Sequence, residues 1–391
     1  MTERILELGQ KFEGDVIRWR RELHRFPEPG GQEFHAAALV QTEAQAMGMQ
    51  MLTVGETGRI AILDTGRPGK TVLLRADLDA LPVPEHPENL RGARVVTSEN
   101  PGYSHACGHD AHTAMLLGAM EILTELREEL TGRVVFCFES DEEGGTGWPA
   151  QIAVLETLGI DRCFAIHVFS GLESGVVNIA DGPRMSGLVA VNAEFVGRGG
   201  HGSRPDLSVN PVFAAAAALG NLASAAANQV ESGEILTLGI TSIQGGVVFN
   251  VIPDRAKVLG TMRYFKKEVG EHALDMLKNV FDHTAAIHRC TVEYDPQTRI
   301  YLHPSVNDPE TAALARRAIP AEWQGHCDRW YASETFHTCL DRWPGALAFL
   351  GIRNEAVGSG AEHHNEHFDV DEAALWRGAV CYAAFAVEAM K

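Results

Sequence analysis

No stretch of this sequence approaches the ~20 consecutive apolar residues that a membrane-crossing helix needs, which argues against a membrane partner. Positive charge is scarce: 33 Lys and Arg stand against 52 Asp and Glu, a formal net charge of −19. Nucleic acids and anionic lipid surfaces are polyanions and are disfavoured as partners. A small anionic substrate is not, because a local site can still be positive. A disulfide framework is also missing. The seven cysteines are odd in number and scattered, at positions 107, 137, 163, 290, 327, 339 and 381, as in a reducing compartment. Residues 2–25 mix charged and apolar side chains, with no secretory-signal core, so a cytoplasmic location is expected. The P-loop, the GxGxxG dinucleotide turn and the zinc-deaminase signature are absent as well. Beyond an alanine run at 214–218 there is no repeat and no low-complexity tract.

What is present is a chain of 391 residues, 45% hydrophobic and 22% charged, long enough for two domains and a sizeable core. Apolar spacing predicts a helix over 5–26, stopped by Pro27, Pro29, Gly30 and Gly31, and another over 33–47. Strands are predicted at 59–64, 71–75, 133–138 and 163–168, with a helix over 111–128. This alternation implies an α/β fold, a catalytic layer with a largely parallel mixed sheet. After Gly182-Pro183 the order becomes strand, helix, strand, strand, helix, strand (188–196, 211–229, 235–243, 256–264, 268–288, 290–294). That βαββαβ series is the ferredoxin-like split arrangement. The expected organisation is therefore a first domain of 1–183 and 295–391, interrupted by an inserted second domain of 184–294. The chain returns to the first domain through segments at 312–319 and 371–390.

Chemistry-bearing residues cluster at a few points. In Ser104-His-Ala-Cys-Gly-His-Asp-Ala-His112, Cys107 and His109 flank a glycine and can face one point. A thiolate and an imidazole suit a borderline-soft divalent ion such as zinc; alone, the pair reads as an ordinary polar loop. The run Glu139-Ser-Asp-Glu-Glu-Gly-Gly145 follows a predicted parallel strand, where ligand sites of α/β sheets gather. There Glu143 could bind metal while Glu142 stays free as a general base, although an acidic run is more often a solvated face. His167 ends another strand, where a lone His is more often structural. Glu362-His-His-Asn-Glu-His367 offers three further imidazoles, and composition does not choose among them. Asp79 could orient a ligating imidazole or form an Asx turn before Pro82. Gly197-Arg-Gly-Gly-His-Gly-Ser203 could hold an anion or be a plain turn. Cys107, His109, Glu143, His167 and one C-terminal His together make five ligands. That number suits two ions that activate water for hydrolysis.

These motifs resemble the amidohydrolase branch (subfamily D) of the M20 metallopeptidase superfamily, which includes hippurate hydrolase, N-acyl-amino-acid aminoacylases and plant auxin-conjugate hydrolases. The likeness runs from Arg20-Arg-Glu-Leu-His-Arg-Phe-Pro-Glu28 to His367-Phe-Asp-Val-Asp-Glu372, and its most specific part is His105-Ala-Cys-Gly-His-Asp-Ala-His-Thr-Ala-Met115. The resemblance implies Cys107, His109, Glu143, His167 and His364 as ligands of two divalent ions, zinc or manganese, with cobalt or nickel as alternatives. It implies Glu142 as general base; Asp79, read above as an orienter of an imidazole, is grouped with Glu142 and His201 as catalytic. The resemblance also implies that His201, Asn250 and Arg263 reach the substrate, partly across a dimer interface. The expected reaction is hydrolysis of the amide bond of a small-molecule N-acyl or N-aroyl amino acid by a homodimer, or alternatively a tetramer. A dipeptidase or carboxypeptidase of the same superfamily is the nearest alternative. A non-catalytic metal-binding protein and a hydrolase with Cys107 as nucleophile stand further off. The chain departs from the branch at Ser140-Asp141 (often Pro-Ala), at Arg204-Pro205-Asp206 (often Met-Pro-His), at Ser333-Glu-Thr-Phe336 (usually Ser-Glu-Asp-Phe) and at Asn365-Glu366. The ligand set is intact.

Overall fold

The structure, a computed structural model, describes residues 1–391. The chain folds into two compact units. The first comprises 1–182, 306–328 and 338–391; the second comprises 183–305 and 329–337. The inserted segment is therefore longer than the 184–294 read from sequence. Strand Ile300–Leu302 pairs with strand Gly187–Val196 and so extends the second unit. The 329–337 stretch joins it through Ser186, whose hydroxyl donates to the carbonyl of Tyr331 at 2.6 Å.

The first unit is built on a seven-stranded sheet. Its strands are β1 (Gln50–Val54), β2 (Gly58–Asp64), β3 (Thr71–Asp77), β4 (Arg133–Glu139), β5 (Arg162–Glu173), β6 (Val177–Asn178) and β7 (Gly345–Arg353), in the order β1-β2-β4-β3-β5-β7-β6. The four central strands run parallel, and β1, β2 and β6 add antiparallel edges. A strand covered on both faces must be apolar throughout, and every residue of β3 is buried. The sequence reading assigns no strand to β1, β6 or β7, although Gly345–Ile352 is an unbroken apolar run paired with β5.

Helix α1 (Thr2–Lys11) and α2 (Glu13–Arg25) replace the single helix expected over 5–26, with the break at Phe12. They are followed by α3 (Phe34–Ala46), α4 (His109–Glu125), α5 (Trp148–Leu155), α6 (Pro309–Ala318) and α7 (Leu375–Ala389). Apart from Glu121, Thr124 and Glu125, α4 is buried throughout: residues 114–120 are apolar or glycine, and the polar residues of its first turns, His109, Asp110 and His112, have carboxylate or guanidinium partners. Tyr382 on α7 ties helix to sheet. Its hydroxyl donates to the Arg75 carbonyl on β3 and accepts from the Ile166 amide on β5, at 2.7 and 3.0 Å.

In the second unit, strands Leu236–Gln244, Arg255–Tyr264, Gly187–Val196 and Thr291–Tyr294 form an antiparallel sheet in that spatial order. Along Gly187–Val196 alternate residues are buried. Val189, Val191, Ala193 and Phe195 pack against helices Pro211–Gln229 and Lys267–Ile287. No helix of either unit is long and apolar enough to cross a membrane.

One helix carries a poorly placed charge. Glu121 on α4 is half-buried near Asp15 and Glu43, and burial, then those two carboxylates, push its pKa up from 4.5 to about 7. The sign follows from linkage. An acid whose folded pKa is raised leaves stability intact below pH 4.5 and removes it as pH climbs through about 7. Glu121→Gln is expected to raise the melting temperature at pH 8, by about 1–2 kcal/mol of stability after discounting for partial exposure. At pH 4 it should change little. An equal shift at both pH values would assign the effect to packing instead.

Candidate active site

The loops that leave the C-terminal ends of β3 and β4, the start of α4 and the body of β5 converge on one cluster. Gly108 makes the approach feasible. Its φ of +95° is in the left-handed region, and a Cβ there would lie 2.4 Å from a methyl of Val168. Glycine lets the Cys107–His109 turn rest directly against β5.

Two imidazoles are oriented alike. His109 Nδ1 lies 3.1 Å from Asp79 Oδ1, and His167 Nδ1 donates to the Val168 carbonyl at 2.7 Å. With Nδ1 engaged, the opposite nitrogen of each ring is turned to the cluster. His167 Nε2 is 3.7 Å from Cys107 Sγ, and His109 Nε2 is 3.8 Å from Glu143 Oε1. The second oxygen of Asp79 accepts from the Glu143 amide at 3.0 Å. Asp79 thus bridges two candidate ligands, and no Asx turn uses its carboxylate.

The three C-terminal histidines separate cleanly. His363 Nε2 accepts from the Ser170 amide at 3.2 Å, and its ring packs on Phe368. His367 Nδ1 donates to the Glu88 carbonyl and its ring lies on His86. His364 has a left-handed φ of +63°, donates its amide to Ala106, and brings Nε2 to 3.4 Å from Glu143 Oε1.

Donor atoms of Cys107, His109 and His167 lie within 4.8 Å of one another, as do those of Cys107, Glu143 and His364, and those of His109, Glu142 and Glu143. The set mixes sulfur, nitrogen and oxygen, which fits first-row divalent ions. His109 Nε2 and Glu143 Oε1 are buried without a hydrogen-bond partner. Such atoms cost free energy unless something satisfies them, and a cation does so. Asp77, His109 and His112 are equally close, but that trio is already satisfied. His112 donates Nδ1–H to Asp77 at 2.7 Å and accepts from the Val168 amide at 2.9 Å, while Arg75 holds Asp77 at 2.8 Å. The sequence reading gave neither His112 nor Asp77 a role, although His112 stands inside the 104–112 motif and Asp77 two residues before Asp79.

Protonation follows from these surroundings. Burial, then the Glu143 charge, pushes the Cys107 thiol well up, the reverse of what a cysteine nucleophile needs. Burial disfavours the charged form of His109, but Asp77 and Cys107 outweigh it and hold its pKa well above the ordinary value. His167 is driven down by burial and then by the neighbouring His112 and His363.

The remaining predicted residues belong to the second unit. The backbone brackets His201 and Asn250 together: His201 pairs with Val251, and the Gly202 amide donates to Asn250 at 2.8 Å. Both side chains are exposed. Arg263 is on a different sheet, the larger antiparallel one, where it pairs with Leu188 and donates to the Ser333 hydroxyl at 2.7 Å. Burial lowers its pKa.

Residues 73–388 match the model of Peptidase family M20/M25/M40. The chain is 31% identical to Thermostable carboxypeptidase 1 of Saccharolobus solfataricus, over 99% of this chain and 98% of that protein. It is 32% identical to an N-acyl-L-amino acid amidohydrolase of Geobacillus stearothermophilus, over 83% and 87%. Among solved structures it resembles a dinuclear metal-binding M20-family peptidase of Bacillus subtilis, with a TM-score of 0.83, 27% identity and coverage of 97% and 99%. With most of its length matched and a metal-type donor cluster at its strand ends, the chain belongs to peptidase family M20/M25/M40 and is a hydrolase.

Proposed function

We propose that this chain is a dimetal amidohydrolase that cleaves N-acyl or N-aroyl amino acids to a carboxylic acid and a free amino acid. The observation that carries the proposal is the cluster itself. Five donors of the right chemistry converge, and a sixth group, Glu142, lies within 4.8 Å of His109 and Glu143. Cys107, His109, Glu143, His167 and His364 would hold two divalent ions, zinc or manganese, with cobalt or nickel as alternatives. Such ions lower the pKa of water towards neutrality and polarise an amide carbonyl.

The protein's own work is then proton movement and positioning. Glu142 takes the proton of the attacking water and delivers it to the leaving nitrogen, so one carboxylate serves as base and then acid. Asp79 keeps His109 in the tautomer that presents Nε2. His201 stabilises the developing oxyanion. Asn250 and Arg263 grip the substrate's α-carboxylate; the half-buried Arg263 guanidinium suits a planar anion. The carboxypeptidase relative keeps peptide substrates as a second reading, since a carboxylate grip serves both. A homodimer is supported by exposed apolar side chains on the second unit, among them Val247 at 98%, Phe249 at 102% and Phe213 at 68% exposure, more than a free surface usually carries.

Release of free amino acid from N-acetyl, N-benzoyl and long-chain N-acyl amino acids, assayed beside dipeptides with Mn²⁺ or Zn²⁺ supplied, tests the reaction. Turnover of the acyl set is expected, with Glu142→Gln lowering kcat by about 10²–10⁴-fold at unchanged metal content. Turnover confined to dipeptides would move the assignment to peptidase. Asp79→Asn should weaken metal affinity by about 10–100-fold in a chelator competition; wild-type affinity would detach Asp79 from ligand orientation. If the dimer completes each site, mixing His201→Ala with Glu142→Gln protein should restore part of the activity that each lacks. No restoration would mean that each site is built within one chain.

A further inference from the structure

Glu33 is 0% exposed, and no salt bridge is formed by its carboxylate. A buried carboxylate without a cation is costly, so its contacts should reveal its use. Glu33 stands at the N-cap of α3 yet makes no cap hydrogen bond. Glu28 does that work, accepting from the amides of His35 and Ala36 at 2.9 and 3.1 Å. The Glu33 side chain is thereby released from its own helix. One oxygen accepts from the amides of Gly31 at 2.9 Å and Asp141 at 2.7 Å. The other accepts from the Thr57 hydroxyl at 2.5 Å. Burial pushes its carboxyl up, and these donors partly offset that.

Asp141 is the residue before Glu142 and has a left-handed φ of +53°, a conformation a non-glycine residue holds only when its surroundings insist. Its side chain bonds Thr146 within its own loop, while its amide ties the loop to Glu33 on another segment. The approach is close: a Cβ on Gly30 would lie 1.9 Å from Asp141 Oδ1. The same 28–33 segment reaches the β3 loop, because the Ala80 amide donates to the Glu28 carbonyl at 2.8 Å and Pro29 bridges Ala80. One short turn therefore touches both the loop carrying Asp79 and the loop carrying Glu142.

We infer that Glu33 is a positioning residue for the reaction, fixing the backbone at Asp141 so that Glu142 is presented in register with the donor cluster. This rests on the reading of Glu142 as base. The contact is to the residue next to Glu142, whereas the Glu143 amide is held by Asp79, so the effect is expected on Glu142 more than on the ligands.

The test compares Glu33→Ala, Glu33→Gln and Glu142→Gln, singly and with Glu33→Ala and Glu142→Gln combined. Glu33→Ala is expected to lower kcat by about 10–100-fold, the size of effect that a ~1 Å misplacement produces. KM and the bound-metal ratio, measured by elemental analysis, should stay near wild type. Glu33→Gln keeps an oxygen for the Asp141 amide and lets Thr57 turn from donor to acceptor, so it should restore most of kcat. In the double variant Glu33→Ala should add little, because the group it positions is already disabled. If Glu33→Ala does not fold, Glu33→Asp, which draws the carboxylate back by one methylene, replaces it in every comparison. Wild-type kcat in a folded Glu33→Ala or Glu33→Asp variant would overturn the inference, as would losses that multiply with Glu142→Gln. Near-normal kcat in Glu142→Gln alone is a different failure, that of the base assignment itself.

Discussion

The first unit is organised around buried charge that has to be paired. Arg20 on α2 contacts Asp110 at 3.0 Å, Asp369 at 3.1 Å and Glu372 at 3.2 Å, and its side chain is 3% exposed. His24, one turn on, reaches Asp110 and Glu85, both at 2.7 Å. A guanidinium removed from water is tolerated only if anions surround it, and removing one partner of such a set is strongly destabilising. The network draws together α2, the first turn of α4, the 85–94 loop and the chain's C-terminal segment. Asp110 is the neighbour of His109, so the network that orders these segments also fixes where α4 begins. The candidate site inherits its precision from it.

The same logic recurs at the strand ends. Arg75, Asp77 and Glu139 form a buried chain, with Arg75 2.8 Å from each carboxylate. Asp77 continues it to His112, and His112 to the backbone beside His167. Each carboxylate is committed to a cation, an imidazole or a backbone amide before any ligand arrives. Among the buried atoms left without a hydrogen-bond partner are His109 Nε2 and Glu143 Oε1, which face each other at 3.8 Å. An imidazole nitrogen and a carboxylate oxygen that face each other, each buried without a hydrogen-bond partner, are what a cation between them would satisfy.

Periodicity made the sheet and the second unit's βαββαβ order legible, because buried strands read as apolar runs and the two helices of the insertion have helical spacing. It failed where local pattern is silent. Strand β7 lies far along the chain from its sheet neighbour β5, and only tertiary pairing identifies it. The candidate ligand types were visible in their motifs, but what sets His364 apart from His363 and His367 was not visible in composition. It depends on a left-handed turn and on which ring finds a backbone partner. Asp79 was readable as either turn or orienter, and its two hydrogen bonds decide between them. His112, Asp77 and Glu33 act through other residues, so no spacing rule points to them.

Glu142 and Glu143 show why adjacent identical side chains can differ in chemistry. The amide of Glu143 is held by Asp79, and its carboxylate faces His109 and His364. The residue before Glu142 is held from the opposite side by Glu33, across a left-handed backbone. Two anchors on alternate peptide units, at the Asp141 and Glu143 amides, tie the loop to different parts of the fold and turn the neighbouring side chains into different surroundings. A flexible acidic loop would sample both arrangements and keep neither. Clamped at both points, the loop can offer one carboxylate to a cation and keep the other for a proton.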